Sequence, residues 1–151
     1  SPYTLKFYAG NLYVAERGSG NVKKITTTGT VTTYASGLSQ PVGITFDDMG
    51  NMYVTEFNAS GNIKKIDTSG NITTFTSSLS NPFGIMYNSA SNDFYVIEIF
   101  NGKVKKINSS GVVTNANFVT GLSSPSSLIL DNSQNLYISQ ESGGTIKKIA
   151  L

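Results

Sequence analysis

GITFDDMGNMYVTEFNASGNIKKIDTSGNITTF, residues 43–75, holds four short apolar runs separated by turns of Gly, Asn, Asp and Ser. The runs are GITF (Gly43 to Phe46), NMYVTE (Asn51 to Glu56), NIKKI (Asn62 to Ile66) and NITTF (Asn71 to Phe75). β-branched and aromatic residues fill them, and these suit a pleated, half-buried surface. The intervening DDMG and DTSG carry the Asp and Gly that close hairpins. No stretch shows the helical spacing of apolar residues. The segment therefore predicts four antiparallel strands in a meander.

The unit recurs along the whole chain. NLYVAE, NMYVTE, DFYVIE and NLYISQE are followed by NVKKI, NIKKI, KVKKI and TIKKI, so that Ile25, Ile66, Ile107 and Ile149 fall 41, 41 and 42 residues apart. A repeat of that length is one supersecondary module that buries its apolar faces only against copies of itself. A four-stranded meander of that length is a propeller blade. The expected fold is all-β: a β-propeller of about four units with boundaries at 1–40, 41–81, 82–124 and 125–151, the last one incomplete after its third strand. Pro2, Pro41, Pro82 and Pro125 mark where each unit begins. The first two strands of each unit read as nearly continuous apolar runs, which places them inside, and the fourth alternates with polar residues, which places it at the rim. The incomplete last unit leaves an open strand edge. That edge predicts either a part of a larger propeller or a protomer that assembles with its own copies.

Composition excludes several classes. The 151 residues carry a net charge of +2, 38% hydrophobic and 13% charged residues, with no Cys and no His. Disulfide and thiolate chemistry are excluded, and so is histidine acid–base chemistry from these residues. No run of 18 apolar residues is present, so no membrane-spanning helix is expected. The low-charge surface rich in Ser, Thr and Asn suits an extracellular or secreted setting.

The repeated positions read first as structure. Tyr13, Tyr53, Tyr95 and Tyr137 stand in mid-strand and are expected to be buried between blades. Glu16, Glu56, Glu98 and Glu141 recur near the end of the second strand. Their carboxylates are expected to accept backbone N–H groups of the following loop or to meet a third-strand lysine; a cation site is the alternative. The pairs Lys23/Lys24, Lys64/Lys65, Lys105/Lys106 and Lys147/Lys148 alternate faces and form no single basic stripe, which argues against nucleic acid. Asp47 and Asp48 resemble a carboxylate dyad, but the turn itself calls for Asp. No catalytic residue, metal or cofactor is assigned.

The string PVGITFDDMGNMYVTEFNASGNIKKIDTSGNITTF resembles an NHL-type repeat, and it is similar to the repeats of streptogramin lyase and lactonase-type propellers. The resemblance implies a ring of blades, about six or seven, with ligands or partners docking on the face that bears the loops between second and third strands. It also implies lyase histidines, which this chain lacks. Those loops differ between units, reading RGSG, FNASG, IFNG and SGG. They bring Arg17, Phe57, Asn58, Phe100 and Asn101 to one face, which suits a protein, peptide or glycan partner. The expected function is a non-catalytic binding or assembly module. The alternatives are part of a propeller enzyme with its catalytic groups elsewhere and an RNA-binding propeller.

Overall fold

In the computed structural model, which describes residues 1–151, the chain folds into fifteen strands and no helix. The first blade is β1 (Pro2–Tyr8), β2 (Asn11–Glu16), β3 (Asn21–Ile25) and β4 (Val31–Ala35). The second is β5 (Pro41–Phe46), β6 (Met52–Glu56), β7 (Gly61–Ile66) and β8 (Ile72–Leu79). The third is β9 (Pro82–Asn88), β10 (Asp93–Glu98), β11 (Lys103–Asn108) and β12 (Val113–Val119). The fourth holds only β13 (Pro125–Leu130), β14 (Asn135–Gln140) and β15 (Thr145–Ala150). Each blade is an antiparallel meander in chain order.

β1 packs on β5, β5 on β9 and β9 on β13. Residues 4–6, 43–44, 84–86 and 126–129 of these four innermost strands line a central cavity of about 260 Å³. The strands come close because two of them carry glycine there. A Cβ on Gly43 would run into the Phe83 carbonyl of the next blade, and one on Gly84 would meet the Ser126 carbonyl at 2.9 Å. The Thr55 hydroxyl ties the same junction, accepting from Gly43 N–H at 2.8 Å and donating to the Phe83 carbonyl at 2.7 Å.

Alternation along the strands gives each blade two different apolar faces. On its forward face the first blade offers Tyr13, Ala15, Val22 and Leu38; the second blade meets them with Ile44, Phe46, Met52, Val54 and Ile66. Tyr53, Ile63 and Leu79 meet Ile85, Phe94, Val96 and Ile107 at the second junction. The third joins Tyr95, Ile97, Val104 and Leu122 to Leu136 and Ile138. Burying one such side chain contributes roughly 1.5–3 kcal/mol, so these three seams hold the arc. Tyr13, Tyr53 and Tyr95 are buried, whereas Tyr137, on the last forward face, is only half-buried.

A second device fastens the second, third and fourth blades to the linkers that precede them. The Glu56 carboxylate accepts the Ser39 N–H at 2.8 Å, and Glu98 accepts the Ser80 N–H at the same distance. Gln140 does this in the fourth blade, accepting the Ser123 N–H at 2.8 Å. The repeated position is therefore Glu16, Glu56, Glu98 and Gln140, each opposite the proline that begins its blade. Glu141, placed at the strand end by sequence, lies one residue beyond it and is exposed. The bonded amide also differs from expectation: it belongs to the linker before the innermost strand, because the antiparallel register sets that linker beside the carboxylate. Lys105 and Lys103 reach Glu98 at 2.7 and 3.4 Å, and Lys64 approaches Glu56 at 4.0 Å.

Most hairpin glycines have the positive φ that their turns require, such as Gly29, Gly70 and Gly111 before the outermost strands. Gly61 does not; it is glycine because a Cβ there would collide with Pro82 and the Glu56 carbonyl.

Gly43→Ala pushes a methyl into the neighbouring backbone and is expected to cost about 1–3 kcal/mol, measured as a lower denaturation midpoint; an unchanged midpoint would contradict the close seam. Burial alone would raise the Glu98 carboxyl pKa, but the Lys105 ammonium, the Ser80 N–H and the Asn101 amide outweigh it and hold the group below its ordinary value. A depressed folded pKa stabilises above the unfolded pKa and is lost as pH falls through the folded one. Stability should therefore drop below about pH 4.5. Glu98→Gln should flatten that acid limb while keeping the Ser80 bond, as Gln140 does. Glu98→Ala should cost about 3 kcal/mol at neutral pH.

Candidate functional site

The face bearing the loops between second and third strands is fixed by a bond repeated in every blade. Just past the strand end, the N–H groups of Arg17, Phe57, Ile99 and Glu141 donate to the carbonyls of Ser1, Gln40, Asn81 and Ser124, at 3.1, 3.1, 3.4 and 3.1 Å. Gln40, Asn81 and Ser124 adopt φ of 48, 47 and 47° to present those carbonyls. Non-glycine residues in that region are uncommon, and they persist only where the surroundings hold them. Here the glutamate or glutamine bond to the preceding linker supplies the hold. The loop bases are therefore pinned to the innermost strands.

Upon that pinned base the side chains differ from blade to blade, and five of them converge. The Arg17 guanidinium lies 4.5 Å from the centre of the Phe57 ring and 5.7 Å from that of Tyr3. Phe57 meets Phe83 and Phe100 edge to face, with centroids 5.8 and 5.9 Å apart. Tyr3 meets Phe83 in the same way at 5.5 Å. Arg17 Nε and Nη2 donate to the Gln40 amide oxygen at 3.1 and 2.8 Å. No carboxylate pairs with it, so its charge is not neutralised locally. Phe100 is 73% exposed and Tyr3 47%. The arrangement is a cationic and aromatic platform contributed by three blades. Such geometry sets an apolar aromatic surface beside an unneutralised cation.

Of the residues singled out from sequence, Arg17, Phe57 and Phe100 are brought together. Asn58 and Asn101 are on the same face, but their amides act within their own loops: Asn58 Oδ1 accepts the Ser60 N–H at 3.1 Å, and Asn101 Nδ2 donates to Glu98 at 3.1 Å. Tyr3 and Phe83 complete the platform and escaped the sequence reading. Their signal was the residue after each unit-opening proline, which reads Tyr3, Val42, Phe83 and Ser126. That position varies between blades as the loops do.

The other repeated polar groups are engaged in structure. Asp47 Oδ1 accepts the N–H groups of Met49 and Asn51, and its Oδ2 accepts from the Asn51 amide and the Tyr53 hydroxyl. Burial would raise the Asp47 pKa, but these four donors outweigh it and keep it low. Asp67 and Asp131 close their turns in the same way. Asp48 takes only a 3.3 Å contact from the Tyr87 hydroxyl. The paired carboxylates thus serve a turn on the face opposite the platform. No three His, Cys, Asp or Glu side chains cluster as a metal site, and no helix is present that is long and apolar enough to cross a membrane.

The lysine pairs are divided as strand alternation requires. Lys23 and Lys64 donate to Thr33 and Thr74 at 2.7 and 2.8 Å, and Lys106 pairs with Asp93 at 2.9 Å. Lys65 and Lys148 lie over Tyr53 and Tyr137.

Among solved structures, streptogramin B lyase is similar over 99% of this chain, with 16% identity and a TM-score of 0.76. A catalytically inactive histidine-to-alanine form of virginiamycin B lyase from Staphylococcus aureus, solved with quinupristin, matches at 23% identity and a TM-score of 0.76 over 99%. A chain of the nidogen–laminin complex matches at 17% identity and a TM-score of 0.85 over 100%. The present chain spans 54%, 55% and 60% of those chains, respectively. No curated protein sequence matches it. At these identities the structures establish the propeller fold. The model of the virginiamycin B lyase family matches residues 5–149, nearly the whole repeat array, and the chain belongs to that family.

Proposed function

We propose that this chain is a non-catalytic propeller module that binds a protein partner through the platform of Arg17, Phe57, Phe100, Tyr3 and Phe83. The observation that carries the reading is the convergence of an unpaired guanidinium and exposed aromatic rings on a backbone pinned in every blade. Rigid aromatic anchors and arginine dominate the energetics of protein interfaces. A carboxylate beside an apolar side chain on the partner would satisfy both parts. A propeller chain in the nidogen–laminin complex is one case of this fold in a protein assembly.

Family membership favours a second reading, a lyase whose catalytic groups lie outside these residues. In the related lyase, a variant with one histidine replaced by alanine is catalytically inactive. The present 151 residues contain no histidine at all, so they offer no counterpart for that group. The lysines give less support to an RNA-binding role, because they are divided between hydroxyl, carboxylate and ring partners on two faces of each blade. An extracellular setting fits the low-charge surface and is part of the same proposal.

Selecting random displayed peptides on the immobilised chain tests the binding reading. Wild type should enrich sequences that pair an acidic with an apolar or aromatic residue. Phe57→Ala combined with Phe100→Ala should weaken the selected peptides about tenfold or more, with Arg17→Ala removing the acidic preference. Peptides that bind the variants equally well would overturn it. Incubation with quinupristin should leave its chromatographic profile unchanged; conversion by the purified chain would establish catalysis instead.

A further inference from the structure

On the face opposite the platform, stacked rings close the seam between the first and second blades. The Tyr8 ring lies over Phe46 of the next blade, with centroids 4.0 Å apart and planes 6° from parallel. Its hydroxyl end reaches between two turns of that blade: a Cβ on Gly50 would stand 3.4 Å from the Tyr8 hydroxyl and 3.4 Å from Thr68 Cγ2. Phe46 is buried beneath it, and no cavity of the molecule reaches either ring. The next seam, between the second and third blades, has the same frame without the covering ring. By register, Tyr87 holds the place of Phe46, and Asp47 holds that of Tyr8. The short Asp47 side chain turns back into its own hairpin, where its oxygens accept four donors. Tyr87 is therefore only half-buried, and it lines a cavity of about 240 Å³ between the two blades. Asn92 and Ser109 are the counterparts of Gly50 and Thr68, and both line that cavity. Asn92 even keeps the positive φ of Gly50, 54° against 85°. The cavity thus coincides with the place that a tyrosine ring takes one seam earlier. At the third seam Leu130 stands where Tyr87 does, so the stacking surface is lost.

From this correspondence we infer that the cavity between the second and third blades binds a phenolic ring, stacked on Tyr87 with its hydroxyl toward Asn92 and Ser109. An aromatic face attracts a second ring beyond what burial of its area supplies, and a hydroxyl taken from water needs a partner. Asn92 Oδ1 accepts the Tyr87 hydroxyl at 2.7 Å, which leaves the Asn92 amide N–H groups to donate and the Ser109 hydroxyl to donate or accept. Asp48 and Lys65 also line the cavity. The Asp48 carboxylate has one contact, from the Tyr87 hydroxyl at 3.3 Å, and Lys65 has no acidic partner. An amide group following the ring would find an acceptor and a donor there. Two sources carry such a ring, a free phenol and the tyrosine side chain of a polypeptide. The inference is independent of the platform, which lies on the loop face.

The experiment is an NMR titration of the isotope-labelled 151-residue chain with phenol, cyclohexanol and N-acetyltyrosinamide. Phenol should shift the backbone amide signals of Met49, Asn92 and Ser109 saturably. Cyclohexanol, which has the same size and hydroxyl but no aromatic face, should bind about three- to tenfold more weakly. Tyr87→Phe keeps a ring at that place, as Phe46 does, and should bind phenol like wild type. Tyr87→Leu puts there the residue that the fourth blade uses and should weaken phenol about tenfold. Asp47→Tyr rebuilds the stack of the first seam and should abolish binding; it serves if Tyr87→Leu loses the sheet signal in circular dichroism. N-acetyltyrosinamide separates the sources. Tighter binding than phenol supports the site as one for a tyrosine side chain, and equal or weaker binding supports it as one for a free phenol. Phenol that gives no saturable shift at those amides would overturn the inference. Cyclohexanol that binds as well as phenol, or folded Tyr87→Leu and Asp47→Tyr variants that bind phenol undiminished, would overturn it equally.

Discussion

The structure depends on one asymmetric contact, the seam in which the forward face of a blade receives the back face of the next. Its parts are unlike. The forward side sets a second-strand tyrosine and a third-strand aliphatic residue, such as Tyr53 with Ile63, against Ile85, Phe94 and Ile107 of the following blade. No single blade has a sealed core, because each contributes two half-cores that are closed only by neighbours. Stability in such an array is approximately a sum of seams. The curvature of the whole follows from how closely the innermost strands approach, and Gly43 and Gly84 set that approach.

Around this seam the polar framework does a separate task. Glu56, Glu98 and Gln140 hold the linker amides of Ser39, Ser80 and Ser123. That hold lets Gln40, Asn81 and Ser124 stay at positive φ and turn their carbonyls toward the loop base. A buried carboxylate costs free energy unless its oxygens are bonded. At Glu98 the linker amide, Asn101 and two lysines satisfy it. The fourth blade reaches the same geometry with a neutral amide. The position therefore requires an acceptor oxygen rather than a charge, which explains the repeat better than cation binding does.

The architecture was legible because its causes are local and repeated. Hairpin turns, strand alternation and a 41-residue period lie in neighbouring letters, and each of the three complete units repeats the same signals. Legibility ended where register decided the outcome. Glu141 looked like the fourth member of the glutamate series because the letter matched, but pairing opposite Pro125 gives that place to Gln140. Gly61 stands in a hairpin loop, but its constraint is a proline twenty-one residues away. Arg17, Phe57 and Phe100 were found from loop variation alone. Tyr3 and Phe83 were missed because they sit within strands, where an aromatic residue reads as core.

A repeat protein separates its structural positions from its recognition positions by their variance within one chain. Tyrosine in mid-strand, the acceptor at the strand end and the turn aspartates recur because each blade needs them for itself. The residue after that acceptor reads Arg17, Phe57, Ile99 and Glu141, and the residue after the proline reads Tyr3, Val42, Phe83 and Ser126. The first of these positions makes the same backbone bond in all four blades, but the side chains have different surroundings: Val42 is buried and Phe83 and Ile99 pack partly on the core, whereas Tyr3 and Glu141 are exposed. Where such a side chain is exposed, as at Tyr3, its identity alters the loop face more than the seam. The family match spans residues 5–149 and so takes in the recurring positions of every blade, whereas Tyr3, Phe57, Phe83 and Phe100 have no like residue at the same place in every blade.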